Sequence, residues 1–135
     1  MGIGKLFYQD LPKLLSAIRY LSSKSRVHSR GLSFQLLSDN WITKFRARTF
    51  NDKEPEMLDW LDENLEDGDV FFDVGANVGI YSIYAALRKP KAVVYPFEPE
   101  YSNLHQLKQN ILENSLMRNI YPYALAIDDK TGISQ

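Results

Sequence analysis

The chain has 135 residues, a net charge of -1, 44% hydrophobic and 24% charged residues, which is an ordinary globular composition sized for one compact domain. It has no cysteine, so disulfides, thiolate metal sites and a cysteine nucleophile are excluded, and His28 and His105 show no metal-ligand spacing, so no metal site is expected. No apolar run approaches the ~20 residues that span a bilayer and no signal-peptide pattern is evident, which makes a cytoplasmic location the expectation.

Charge is unevenly spread: before residue 50 only Asp10 and Asp39 oppose the Lys and Arg residues, whereas from Asp52 to Asp69 Lys53 is the single base. Residues 5–21 are predicted helical, with Leu11, Leu14, Leu15 and Ile18 on one stripe and Asp10 as a cap before Pro12. Such a basic amphipathic helix packs on its own protein or rests on an anionic membrane, so weak membrane-surface contact through residues 1–30 is retained as an expectation. Residues 22–30 read as an exposed basic linker. Leu32–Leu37, the turn signal Ser38-Asp39-Asn40 and the alternation across Trp41–Phe50 predict an antiparallel hairpin with one cationic face. Asn51 or Asp52 is predicted to cap the next helix, with Pro55 in its first turn. Its buried stripe is Met57, Leu58, Leu61 and Leu65, its solvated face is Asp59, Asp62, Glu63 and Glu66, and Gly68 terminates it.

Val70–Tyr84 is the centre of the reading. An apolar run ends in Asp73, a turn holds Gly75 and Gly79, and Ile80, Ile83, Tyr84 and Leu87 follow at helical spacing. A buried strand, a glycine turn and an amphipathic helix in succession let ligand atoms approach the backbone and point helix N-terminal N–H groups at them. This is the pattern of a nucleotide-type cofactor site. The dinucleotide fingerprint is poorly matched, because Asn77 and Ile80 occupy its second and third glycine positions. Ala92–Phe97 is predicted as the second parallel strand, with Pro96 forcing a bulge or ending it. Glu98 then falls about 20 positions after the glycine turn, where a carboxylate suits the two hydroxyls of a ribose. Tyr101–Asn114 is the next predicted helix, with Leu104, Leu107, Ile111 and Leu112 inward. Asn119–Ile127 is a third strand at an edge because of Pro122, and residues 128–132 form a turn.

The acid and small residues at alternate positions, Asp73, Gly75, Asn77 and Gly79, resemble the first motif of S-adenosylmethionine-dependent methyltransferases. DVGANVGIYS, then FEPE and the later N-x-x-x-N of Asn110 and Asn114, are similar to the FkbM-like family of these enzymes, over roughly residues 41–135. The resemblance implies an α/β, doubly wound Rossmann-like methyltransferase fold. The sequence holds about three of its parallel strands, so a truncated domain is expected: residues 1–50 as N-terminal helix, linker and hairpin, and residues 51–135 as a partial S-adenosylmethionine-binding domain. It further implies that Asp73, Gly75, Ala76, Asn77 and Gly79 line the methionine end of the cofactor, that Glu98 holds the ribose, and that Ala126, Ile127 and Asp128 approach the adenine. The implied reaction is O-methylation of a sugar or natural-product hydroxyl, with a small-molecule or glycan acceptor, no nucleic acid and no base identified. A non-catalytic nucleoside-binding fragment and a nicotinamide-dependent oxidoreductase are the alternatives. An uncovered edge at Val70–Val74 is expected to give poor stability or self-association.

Overall fold

The computed structural model describes residues 10–16 and 23–129. Residues 10–16 are helical (α1), with Leu11, Leu14 and Leu15 exposed; the remainder of the predicted helix at residues 5–21 lies outside the described residues. Among the described residues no helix is long and apolar enough to cross a membrane.

The hairpin exists, but one strand earlier than expected. The presumed linker is β1 (Lys24–Ser29), paired antiparallel with β2 (Leu32–Leu37) from Lys24↔Leu37 to Ser29↔Leu32. Arg30 (φ 48) and Gly31 (φ 85) make the two-residue turn, both with the positive φ that such a hairpin demands. The signal was present in sequence: Val27 and Ser29 alternate inward against Arg26 and His28, at the period of two that a strand requires.

The segment predicted as the second hairpin strand is instead helix α2 (Trp41–Lys53). Asn40, expected in a turn, is its N-cap and accepts the Thr43 N–H on Oδ1 at 3.0 Å. Thr43, Ala47 and Phe50 are the buried positions, so a helical spacing overrides the short alternation of Lys44, Arg46 and Arg48. Neither Asn51 nor Asp52 caps a helix, since α2 runs through both. Glu54 (φ -142, ψ 64) breaks the chain instead, and α3 (Pro55–Asn64) starts on Pro55. Leu65 is the C-cap, and Gly68 (φ 98) turns the chain one step later into the sheet.

β3 (Val70–Val74) and β4 (Val93–Phe97) are parallel, with α4 (Ile80–Arg88) between them in sequence and α5 (Tyr101–Glu113) following. Pro96 causes no bulge: it stands in register opposite Asp73, and Phe97 continues the strand opposite Val74. The physical reason lies in the alternation of bonding sides. Val94, Pro96 and Glu98 bond the segment at residues 119–123, whereas Phe97 reaches back to Gly75. The donor that Pro96 lacks is therefore missing only on the outer side, where it splits the third strand into two separate parallel pairings, Val94 with Ile120 and Phe97 with Tyr123. No regular strand extends to Ile127.

The core lies on one side of this sheet. Phe71 meets Trp60 of α3, Val94 lies buried in the same cluster, α4 packs on both β4 and β2, and Phe50 of α2 meets Phe34, Tyr81 and Tyr84 with ring centroids 5.4–5.7 Å apart. On the opposite face Val70, Phe72 and Val74 are exposed, Phe72 by 60%, and Phe72, Tyr95, Phe97 and Tyr123 stack into an aromatic band. Leu112, predicted inward, is also exposed.

Candidate functional site

The site grows from the end of β3, where the strand hands its chain to α4 through Gly75–Gly79. Three consecutive features make that handover possible: Gly75 (φ 75), Asn77 (φ 53) and Gly79 (φ 81) all take the left-handed conformation. The two glycines serve different ends. A Cβ on Gly79 would lie 2.9 Å from Leu107 Cγ, so that position is small for the sake of packing against α5. A Cβ on Gly75 would meet nothing within 4 Å, so there the missing side chain leaves open space against the backbone.

The loop's own amides do not face that space. Gly75 and Ala76 N–H both donate to the Phe97 carbonyl, at 2.9 and 3.1 Å, which ties the loop to the end of β4. Asn77 N–H donates to Glu98 Oε2 at 2.7 Å, Val78 N–H to Asn77 Oδ1 at 2.9 Å, and Gly79 N–H to the Ala76 carbonyl at 2.9 Å. Five successive N–H groups are thus satisfied inside the protein. A phosphate cradle built from this loop would need several such donors pointing outward, and residues 75–79 supply none.

Asp73 is buried, with 8% exposure, and Oδ2 accepts the Ser82 hydroxyl at 2.5 Å. Burial pushes its carboxyl above the usual range; hydrogen bonds from the Ser82 hydroxyl and backbone oppose the shift, and the nearby Glu98 charge adds to it. Glu98 is also buried, and besides Asn77 it accepts the Glu100 N–H on Oε1 at 3.0 Å. Glu100 in turn caps α5 by accepting Ser102 and Asn103 N–H, which holds its own carboxyl below the ordinary value.

Asp73, Gly75, Ala76, Asn77, Gly79 and Glu98 are therefore brought together as the sequence anticipated. Ala126 and Asp128 are exposed, beyond the last pairing at Tyr123, so the described fold leaves the expected adenine side open. Sequence reasoning missed two contributors. Asn110, fully buried, donates Nδ2 to the Val78 carbonyl at 2.9 Å and accepts the Leu37 N–H at 2.8 Å, locking the loop to the hairpin. Asn114 does the same for Gln35, so the two asparagines with Gln106 stand along the free edge of β2 where another strand would pair. Their spacing of four on a helix was the available signal. The second is Glu54, whose Oε2 accepts the Tyr81 hydroxyl at 2.8 Å beside a cavity of about 650 Å³ that reaches Asp73 and Gly75. Among the described residues no cluster of His, Cys, Asp and Glu could hold a metal.

This arrangement has the fold of Rossmann-like methyltransferases. M. jannaschii TYW2, solved in complex with AdoMet, superposes with a TM-score of 0.54 at 23% identity, over 77% of this chain and 43% of that one. The SAM-dependent methyltransferase from Agrobacterium tumefaciens gives 0.54 at 17% identity, over 76% and 32%. P. horikoshii TYW2, in complex with MeSAdo, gives 0.53 at 18%, over 82% and 39%. Within that class the FkbM-like resemblance has a curated counterpart, the 31-O-demethyl-FK506 methyltransferase FkbM of Streptomyces tacrolimicus. It is 33% identical over 69 residues, and the match covers 51% of this chain and 26% of that protein's length. No protein-family model matches the chain.

Proposed function

We propose that the chain forms the cofactor-binding part of an S-adenosylmethionine-dependent methyltransferase that methylates a hydroxyl oxygen of a sugar or related natural product. One observation carries the cofactor assignment: a loop with open space at Gly75 and a buried carboxylate at Glu98 keeps all five of its amides for the protein. Such a site suits a nucleoside without phosphates and disfavours a dinucleotide, whose pyrophosphate needs those amides. The similarity to a relative named for 31-O-demethyl-FK506 supports oxygen as the acceptor atom.

When bound, the cofactor supplies a methyl group on a positively charged sulfur. The chain's residues bind and orient. Glu98 Oε2 accepts only the Asn77 N–H among the described residues and keeps a lone-pair site for a ribose hydroxyl, while Oε1 accepts the Glu100 N–H and, at a long 3.5 Å, the Asn103 amide, a contact that a second hydroxyl would replace. Asp73, Gly75, Ala76, Asn77 and Gly79 line the approach of the methionine end, with Gly75 allowing contact at backbone distance. Ala126 and Asp128 are assigned to the adenine side. Holding the transferable group in line with an acceptor supplies most of the acceleration in such a displacement.

Calorimetric titration with S-adenosylmethionine, with NAD as the control, tests this. Saturable binding of S-adenosylmethionine, lost in Glu98→Ala and reduced in Glu98→Gln, is expected. A folded chain that binds NAD in preference, or neither ligand, overturns the assignment.

A further inference from the structure

We propose that Glu54, oriented by Tyr81, is the carboxylate that receives the α-ammonium group of the cofactor's amino-acid end, in the cavity beside Gly75. The inference rests on the S-adenosylmethionine reading above and assigns a residue in the segment that the sequence took for a helix cap region.

The cavity places Glu54, Glu56, Trp60 and Tyr81 around the exit of the loop at Asp73 and Gly75. Its existence follows from the break between α2 and α3. The non-helical backbone at Glu54 (φ -142, ψ 64) interrupts two helices that would otherwise run on, and its side chain reaches Tyr81 in the first turn of α4. Glu54 is not spent on capping α3, which has no side-chain cap. The Tyr81 hydroxyl donates to Oε2 at 2.8 Å, and Lys53 Nζ lies 3.7 Å from Oε1. Burial, then the hydrogen bond to Glu54, push the Tyr81 phenol well above its ordinary value, so it remains a donor throughout the working pH range and keeps the carboxylate in place.

Ligand chemistry matches this lining. The amino-acid end of S-adenosylmethionine carries an ammonium group and a sulfonium within a few bonds. The cavity lining contributes carboxylates and aromatic rings, and the Lys53 ammonium already stands close to the Glu54 carboxylate. Carboxylates take ammonium donors in short charge-assisted bonds, and ring faces attract the onium methyl. Of the lining carboxylates, Asp73 is buried and bonded to Ser82, whereas Glu54 is held in one orientation at the cavity wall by the Tyr81 hydroxyl. The empty space at Gly75 is the second, independent element: it opens the backbone on the side where a ligand would bridge from the loop to Glu54.

Three ligands separate the roles by calorimetry on the full chain: S-adenosylmethionine, S-adenosylhomocysteine, which keeps the ammonium and lacks the sulfonium charge, and 5′-methylthioadenosine, which lacks the amino-acid end. Glu54→Gln, which keeps an acceptor for Tyr81, is expected to weaken the first two about tenfold and leave the third within about twofold. Tyr81→Phe, which frees the carboxylate without removing it, is expected to give a smaller loss in the same two ligands; circular dichroism checks that both variants fold. If native protein binds all three and Glu54→Gln changes them equally or not at all, the inference is overturned while the cofactor assignment stands. If native protein binds none of the three, the cofactor assignment falls and this inference with it.

Discussion

Asp62 in α3 and Asp73 at the end of β3 are both withdrawn from solvent, and the fold treats them in opposite ways. Asp62 sits where the hairpin turn, α3 and α4 meet. It accepts Arg30 Nη1 at 3.0 Å, the Tyr84 hydroxyl at 2.7 Å and Arg88 Nε at 2.8 Å, while Arg30 also bonds Asp59 at 2.6 Å. Burial alone would raise its carboxyl, but the bonds from Tyr84 and Arg30 and the charges of Arg88 and Arg30 outweigh it and hold the group below 3.8. The same contact, after burial, pushes the Tyr84 phenol up to about 12. Among the described residues no cation is bonded to Asp73, and the carboxylate of Glu98 makes its ionisation harder still. One region is assembled to hold the molecule together. The other keeps a charge where the fold alone disfavours it, which is the mark of a site shaped for something other than stability.

The largest effect is expected inside the site region, at a residue whose task is packing. Gly79→Ala drives a Cβ against Leu107 and forces alanine to φ 81, and should cost about 3 kcal/mol in denaturant unfolding. A cost below about 1 kcal/mol would show that Leu107 gives way to the added methyl and that packing does not demand the glycine. Next, Asp62→Ala removes the hub of the ion network and should destabilise by about 2 kcal/mol at neutral pH, discounted for the partial exposure of Arg30 and Arg88. Because the folded carboxyl lies below 3.8, its contribution is complete above 3.8 and is lost as pH falls through the folded value, so variant and native stabilities should converge in acid. The smallest effect has the opposite sign. Asp73→Asn should stabilise by about 1 kcal/mol at neutral pH, since a group raised on folding favours the folded state only while protonated. That gain should vanish at pH below 3.8, where native Asp73 carries its proton in both states. Thermal melts across pH measure both aspartates, and loss of stability in Asp73→Asn would erase the contrast between the two regions.

Much of the site was legible because it is local. Asp73, Gly75, Asn77 and Gly79 lie within one turn, and their roles follow from strand end, positive φ and helix start. Glu98 was placed by the length of one strand–helix–strand unit. Asp62 was misread as a solvated face residue, because nothing in its own helix reveals that Arg30 and Arg88 arrive from elsewhere. The hairpin was misassigned for a related reason. The alternation of Lys44, Arg46 and Arg48 is too short to separate a strand from a helix, and the deciding ring contacts of Phe50 are with Phe34 of the hairpin and Tyr84 of α4.

The amino-acid order by itself determined the parallel strand pair, the glycine loop and the carboxylate after the second strand, since each depends on periodicity and backbone freedom over a few residues. Tertiary structure alone decided how Asn110 binds the hairpin to the loop, and that Phe97 and Glu98 take the loop's first three amides. It also decided that Glu54 reaches Tyr81. All three depend on groups far apart in sequence finding hydrogen-bond partners, and a buried polar group accepts whichever partner packing brings within reach.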